Sequence, residues 1–113
     1  MTHTISTHVL DTVLGVPAAG IAVTLERRTE GGWEECGGGV TDADGRIGDL
    51  LDGASLTPGV YRATFDVGTY FGSMEREHFY PFVSVVFEVP STARHYHVPL
   101  LLSPFGYTTY RGS

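Results

Sequence analysis

Two histidines near opposite ends of the chain are the residues best suited to acid–base chemistry. His8 lies in the run Ser6-Thr7-His8-Val9-Leu10, and His97 lies in His95-Tyr96-His97-Val98-Pro99. A neutral imidazole near pH 7 is well suited to take a proton from water. Because apolar and polar residues alternate in both runs, each histidine falls on the strand face opposite the apolar side chains. We expect both imidazoles to point away from the core; the alternative is two unrelated surface histidines.

Arg46 is the candidate group for holding an oxygen-rich ligand. It follows the turn signal Asp42-Ala43-Asp44-Gly45. Its guanidinium presents a rigid fork of N–H donors that suits carbonyl or anionic oxygens. Taken alone, it would be an ordinary solvated arginine beside a turn.

The pair His95-X-His97 also suggests a metal site. Residues i and i+2 of a strand lie on one face about 6.5 to 7 Å apart, within reach of one zinc ion. His8 is the candidate third ligand. No carboxylate is placed beside the pair by sequence, so a metal-free site is favoured.

Three other features are interpreted as structural. Asp42, Asp44 and Asp49 lack the third early ligand and the closing glutamate of an EF-hand loop, so a calcium site is rejected. The segment Gly37-Gly38-Gly39 lacks the Lys-Ser/Thr of a phosphate-binding loop and is predicted to be a flexible turn. Cys36 is the single cysteine, so no intrachain disulfide forms, and it is interpreted as a bystander.

Length and charge bound the class of protein. The 113 residues are enough for one domain, taken as 1–113, and too few for two. Seven Lys and Arg against 13 Asp and Glu give a net charge of −6, which argues against nucleic acid or an anionic membrane as partner. The start carries no basic and apolar leader pattern, and no apolar run could span a bilayer, so we expect a cytoplasmic protein.

Short runs of alternating apolar residues predict strands with one buried face. Gly- and Pro-rich turns separate these runs, and the spacing predicts seven or eight strands in a β-sandwich. One short helix is predicted between Gly68 and Glu77, where alternation fails and Met74-Glu75-Arg76-Glu77 are good helix formers. The clearest alternating runs are Ile5 to Val9, Ile21 to Leu25, Tyr61 to Val67 and Val83 to Val89.

Four segments together carry a family resemblance. They are His8-Val9-Leu10-Asp11-Thr12, Gly15-Val16-Pro17-Ala18, Tyr96-His97-Val98-Pro99-Leu100-Leu101-Leu102-Ser103-Pro104 and Tyr110-Arg111-Gly112-Ser113. In these segments the chain resembles the 5-hydroxyisourate hydrolases of the transthyretin-like family. Vertebrate transthyretin, the hormone carrier on the same fold, keeps the Val-Leu-Asp and Leu-Leu-Ser-Pro elements but lacks the histidines and ends differently. The chain is therefore similar to the enzymes rather than to the carrier.

The resemblance implies an all-β, transthyretin-like (prealbumin-like) sandwich of two four-stranded sheets with one short helix. It also implies a homotetramer, in which subunits join edge to edge and dimers pack face to face with active sites in the channel between them. His8 and His97, turned away from their own core, would then become covered at the dimer–dimer interface.

The implied activity is cofactor-free hydrolysis of 5-hydroxyisourate, the product of urate oxidation, to 2-oxo-4-hydroxy-4-carboxy-5-ureidoimidazoline. Carried over by position, the catalytic residues are His8, Arg46, His97 and Ser113, and the substrate-binding residues are His8, Arg46, Tyr110, Arg111 and Gly112. The histidines would position and deprotonate water, although which one is the base stays open. Ser113 would act through its hydroxyl or terminal carboxylate. A non-catalytic carrier of small ligands, or an accessory sandwich domain, is the alternative.

Overall fold

The computed structural model describes residues 3–113, which form nine strands and one helix. In chain order the elements are β1 (Ile5–Asp11), β2 (Val16–Pro17), β3 (Ala22–Thr29), β4 (Gly32–Val40), β5 (Arg46–Ile47), β6 (Gly59–Phe65), α1 (Val67–Ser73), β7 (Val83–Val89), β8 (Tyr96–Ser103) and β9 (Gly106–Thr109).

The strands form two sheets. Sheet 1 has the order β2-β1-β8-β9, with β5 also paired to β1, and sheet 2 has the order β4-β3-β6-β7. β1 and β8 run parallel, although they come from opposite ends of the chain, and every other pair is antiparallel. The prediction of a two-sheet sandwich with one short helix is confirmed. Sheet 1 has five strands because two short strands pair with β1: β5 pairs with Thr7 and His8, and β2 pairs with Leu10 and Asp11.

One hydrophobic core lies between the sheets. Along β1 the side chains of Ile5, Thr7 and Val9 are buried, and the hydroxyl of Thr7 is satisfied by donating to the carbonyl of Val98 at 2.6 Å. His8 and His97 lie outside the core cluster, as the alternation predicts. The largest fully buried side chains are Tyr61, Phe65 and Phe71.

The helix begins earlier than its best helix formers suggest. Asp66 caps α1 by accepting from the backbone N–H of Thr69, and α1 buries Val67 and Phe71, one helical turn apart. The chain then leaves the helix at Met74, and Glu75 adopts the left-handed conformation with φ 54°. Tertiary packing therefore overrides local propensity here. In residues 3–113 no helix has the length and apolarity needed to cross a membrane.

The glycine run Gly37-Gly38-Gly39 is part of strand β4, so the prediction of a flexible turn was wrong. These glycines pair with Val23, Thr24 and Leu25 of β3. A Cβ on Gly37 would collide with the backbone carbonyl of Leu50. The run therefore permits close approach of a neighbouring backbone within a sheet.

Asp11 joins the end of β1 to the segment that follows α1. Its buried carboxylate accepts hydrogen bonds from Arg76 at 2.6 Å, from the Tyr70 hydroxyl at 2.9 Å and from the backbone N–H groups of Val13 and Leu14. Burial alone would raise the pKa of Asp11, but these hydrogen bonds, led by the one from Arg76, lower it from 3.8 to about 2.

Candidate active site

The candidate site lies on the outer face of sheet 1, the face that points away from the core. The parallel pairing of β1 with β8 places Ser6 opposite His97, and the antiparallel pairing of β1 with β5 places His8 opposite Arg46. Residues distant in sequence thus meet on three neighbouring strands. A cleft of about 280 Å³, called the histidine cleft below, is lined by Ser6, Thr7, Arg46, Ile47, Gly48, His95, His97 and Ser113.

A tight turn delivers Arg46 to this cleft. The Asp42 carboxylate accepts hydrogen bonds from the backbone N–H groups of Asp44 and Arg46, both at 2.9 Å. The N–H of Arg46 is the main reason why the pKa of Asp42 lies below its usual value. Gly45 has φ 75°, and a Cβ there would strike the carbonyl of Val9, so glycine is required. The sequence predicted the turn that contains Asp42 but not the role of its carboxylate in holding Arg46.

Ser6 holds His97 in place. The Ser6 hydroxyl lies 2.7 Å from Nδ1 of His97 and 2.7 Å from Nε2 of His95. Ser6 itself is buried. Sequence reasoning did not single out Ser6, although its place two residues before His8, on the same strand face, was a usable signal.

Burial lowers the pKa of His97, and the nearby charges of His8, His95 and Arg46 lower it further. The neutral imidazole is therefore the favoured form at neutral pH. A neutral ring can accept a proton, which is the requirement for a general base.

His8 lies beside the histidine cleft. It is half-buried and sits opposite Arg46 in the strand register, but it does not line the cleft wall. His8 is nevertheless near enough for its charge to affect the pKa of His97.

The last four residues divide between two sides of His97. Gly112 donates its backbone N–H to the carbonyl of His97 at 2.8 Å and is buried against the ring; a Cβ there would lie 2.6 Å from Cδ2 of His97. Ser113 lines the histidine cleft. Tyr110 and Arg111 line a different depression of about 290 Å³ beside β7, called the edge groove below, which also includes His97.

No group of three metal-ligating side chains converges anywhere in residues 3–113. Nε2 of His95 and Nδ1 of His97 both contact the Ser6 hydroxyl. The pair considered as zinc ligands is thus engaged in a hydrogen-bond arrangement.

The family model of the HIUase/Transthyretin family matches residues 5–112, nearly the whole chain. The chain belongs to this family.

Within the HIUase/Transthyretin family, relatives of two kinds are similar to the chain. A 5-hydroxyisourate hydrolase of Salmonella typhimurium is 47% identical over 109 residues, covering 96% of this chain and 80% of the relative. The structure of Klebsiella pneumoniae 5-hydroxyisourate hydrolase superposes with a TM-score of 0.85 at 39% identity, covering 97% of this chain and 99% of the other. Transthyretin from Sparus aurata superposes with a TM-score of 0.89 at 36% identity, covering 96% and 95%. The shared fold therefore does not separate enzyme from transthyretin, and the site must decide.

The groups of the histidine cleft match the needs of hydrolysis. His97 offers a neutral ring whose Nε2 makes no hydrogen bond to any residue in the described part of the chain. Arg46 is exposed and borders the same cleft, so its N–H donors are available to a ligand. A base beside a fixed cation can activate water and stabilise the oxyanion that forms when water attacks a carbonyl.

Proposed function

We propose that this protein hydrolyses 5-hydroxyisourate to 2-oxo-4-hydroxy-4-carboxy-5-ureidoimidazoline, a step of urate degradation. The observation that carries the proposal is the histidine cleft, where a neutral imidazole and an arginine meet in a chain 47% identical to a relative named 5-hydroxyisourate hydrolase. The substrate is a small purine-derived molecule whose ring amide is opened by water.

The reaction assigns one task to each group. His97 takes a proton from water, whose oxygen bonds to the ring carbonyl carbon. Arg46 donates hydrogen bonds to the carbonyl oxygen as it becomes negative, a role in which one donor contributes roughly 3 kcal/mol. The carbon–nitrogen bond then breaks, and the leaving nitrogen takes the proton from His97. His8 orients the water or the substrate from the neighbouring strand. Ser113, on the cleft wall, helps to orient the water or a histidine through its hydroxyl or its terminal carboxylate.

The remaining terminal residues have supporting tasks. Gly112 packs on the His97 ring and supports its orientation. Tyr110 and Arg111 contact substrate across a subunit boundary, since in a single chain they face the edge groove rather than the histidine cleft.

A non-catalytic carrier is the second candidate function, because transthyretin from Sparus aurata has the same fold. A carrier has no use for a neutral histidine beside an arginine in a polar cleft. We therefore rank hydrolysis first.

The proposed assembly is a homotetramer with sites at the dimer–dimer interface. In residues 3–113, β7 and β9 each pair on one side only, so both sheets have a free edge flanking the edge groove. Free edges invite pairing with a second copy. Tyr107 on β9 and Val86 on β7 are exposed apolar side chains at these edges. Face-to-face packing of two such dimers would then cover the outer face of sheet 1.

The proposal also treats residues 1–113 as one hydrolase domain in the cytoplasm. A core shared by both sheets supports the single domain. The free thiol of Cys36 supports a reducing compartment. Fractionation of cells of the source organism would test the compartment.

The decisive experiment follows the decay of freshly prepared 5-hydroxyisourate with and without the protein, because the spontaneous reaction supplies the baseline. His97→Ala and His8→Ala should each lower kcat by about 10²- to 10⁴-fold. Activity should survive exhaustive chelation. A wild-type protein that leaves the baseline decay unchanged, yet binds small aromatic ligands, would establish the carrier instead.

The assembly is tested by light scattering at micromolar concentration. We expect a mass four times the 12.2 kDa of one chain. A fully active monomer would contradict the interfacial site.

A further inference from the structure

A single hydroxyl lies between two imidazole rings at the site. Ser6 Oγ is 2.7 Å from Nε2 of His95 and 2.7 Å from Nδ1 of His97. Ser6 is only 9% exposed, whereas His95 is exposed. The three residues therefore form a chain of hydrogen bonds from solvent to the candidate base.

The Ser6 hydroxyl carries one hydrogen, which limits how it can bond to the two imidazole rings. A serine hydroxyl donates once and accepts through its lone pairs, and a neutral imidazole has one N–H and one bare nitrogen. Ser6 can therefore donate to only one of the two ring nitrogens, whereas its oxygen can accept from either ring or from both.

His97 can act as a base through Nε2 only when Nε2 is bare, so Nδ1 must carry the hydrogen and donate it to Ser6. The hydrogen of Ser6 is then free for a bare Nε2 of His95. We infer that Ser6 is a positioning residue that accepts the Nδ1–H of His97 and so favours its base-competent tautomer, with Nε2 of His95 as the acceptor for the Ser6 hydrogen. This role rests on the proposed hydrolase activity.

The first test reads the tautomers directly by long-range ¹H–¹⁵N correlation spectra of protein labelled with ¹⁵N-histidine. At pH 7.5 we expect His97 protonated at Nδ1 and bare at Nε2. In Ser6→Ala this preference should be lost, and the Nε2–H form of His97 should appear beside the Nδ1–H form. An unchanged His97 tautomer in Ser6→Ala would overturn the inference.

The second test separates positioning from folding. Ser6→Ala should lower kcat by about 10-fold or more while KM changes little, since a misoriented base loses much of its contribution of 10² to 10⁴. Ser6→Thr keeps the hydroxyl and should restore kcat, and Ser73→Ala, an exposed serine at the end of α1, is the matched control. Equal kcat in Ser6→Ala and wild type would also overturn the role. If the wild type does not hydrolyse 5-hydroxyisourate at all, the proposed function fails, whereas the effect of Ser6 on the His97 tautomer is still decided by the spectra.

Discussion

Arg46 combines two properties, a permanent charge and a planar fork of donors, and the proposed reaction uses both. It lies opposite His8 in the strand register and shares the histidine cleft with His97. A lysine ammonium at this position would supply the charge as a compact point without the fork. The two properties can therefore be separated by one substitution.

We predict that Arg46→Lys lowers kcat/KM by about 10²-fold, the loss typical of one oxyanion donor. Initial rates of 5-hydroxyisourate decay measure it. Arg28→Lys, an exposed residue of β3, is the control and should match wild type. Retained kcat/KM in Arg46→Lys would show that a positive charge at this position is sufficient for activity and that the planar fork of donors is not needed.

Gly112 is required by its contact with His97 rather than by a special backbone angle. An added methyl group would lie 2.6 Å from Cδ2 of the ring, so the ring must move. We predict that Gly112→Ala lowers kcat/KM by roughly 10²-fold, because misplacement by about 1 Å has that effect. Gly72→Ala, in open space on α1, is the control and should keep full activity. Normal turnover in Gly112→Ala would mean that the ring position is not critical.

At the scale of elements, the short strand β5 depends on the turn that precedes it. The Asp42 carboxylate binds the N–H groups of Asp44 and Arg46, and Asp42 and Arg46 also pair through the backbone at 3.0 Å. The turn is thus the local reason why β5 meets β1 at His8. We expect its side-chain acceptor to support the proposed reaction by placing Arg46.

We predict that Asp42→Ala lowers kcat/KM by about 10- to 100-fold through displacement of Arg46. Asp42→Asn keeps an acceptor oxygen and should retain most activity. Asp44→Ala, whose side chain makes none of these bonds, is the second control. Equal activity of all three variants would show that β5 forms without the turn acceptor.

At the scale of the whole molecule, Asp11 and Arg76 connect the strand that carries His8 to the segment after α1. The Asp11 side chain is fully buried, and the pair is 2.6 Å apart. Removing one partner of a buried ion pair typically costs about 3 to 5 kcal/mol, because the other charge stays buried without compensation.

We predict that Asp11→Ala lowers the free energy of unfolding by about 3 kcal/mol, measured by urea denaturation at pH 7, whereas Asp44→Ala changes it little. Because the pKa of Asp11 falls from 3.8 to about 2 on folding, its roughly 2 kcal/mol of pH-linked stability is present above pH 3.8 and is lost as the pH falls toward 2. Asp11→Ala should lack this acid-range slope. A parallel pH dependence in both proteins would contradict the assignment.

The sequence by itself determined the faces of the strands and the family. A period of two is a local property, so alternation around His8 and His97 was enough to predict that both leave the core. The quoted motifs identified the family, and the prediction of a two-sheet sandwich is confirmed. The helix predicted between Gly68 and Glu77 is α1, Val67–Ser73, but the helix formers Met74 to Glu77 lie outside it, because propensity ignores the burial of Val67 and Phe71.

The tertiary structure alone decided which residues meet. Ser6 and His97 are 91 positions apart and touch only because β1 and β8 pair in parallel, which no local pattern specifies. The same holds for Gly37, whose lack of a side chain matters only because the carbonyl of Leu50 approaches it. Side-chain periodicity is a property of consecutive residues and can be read locally. Strand partners and close backbone contacts depend instead on how distant segments pack. For that reason the contact of Ser6 with His97 emerged only in three dimensions.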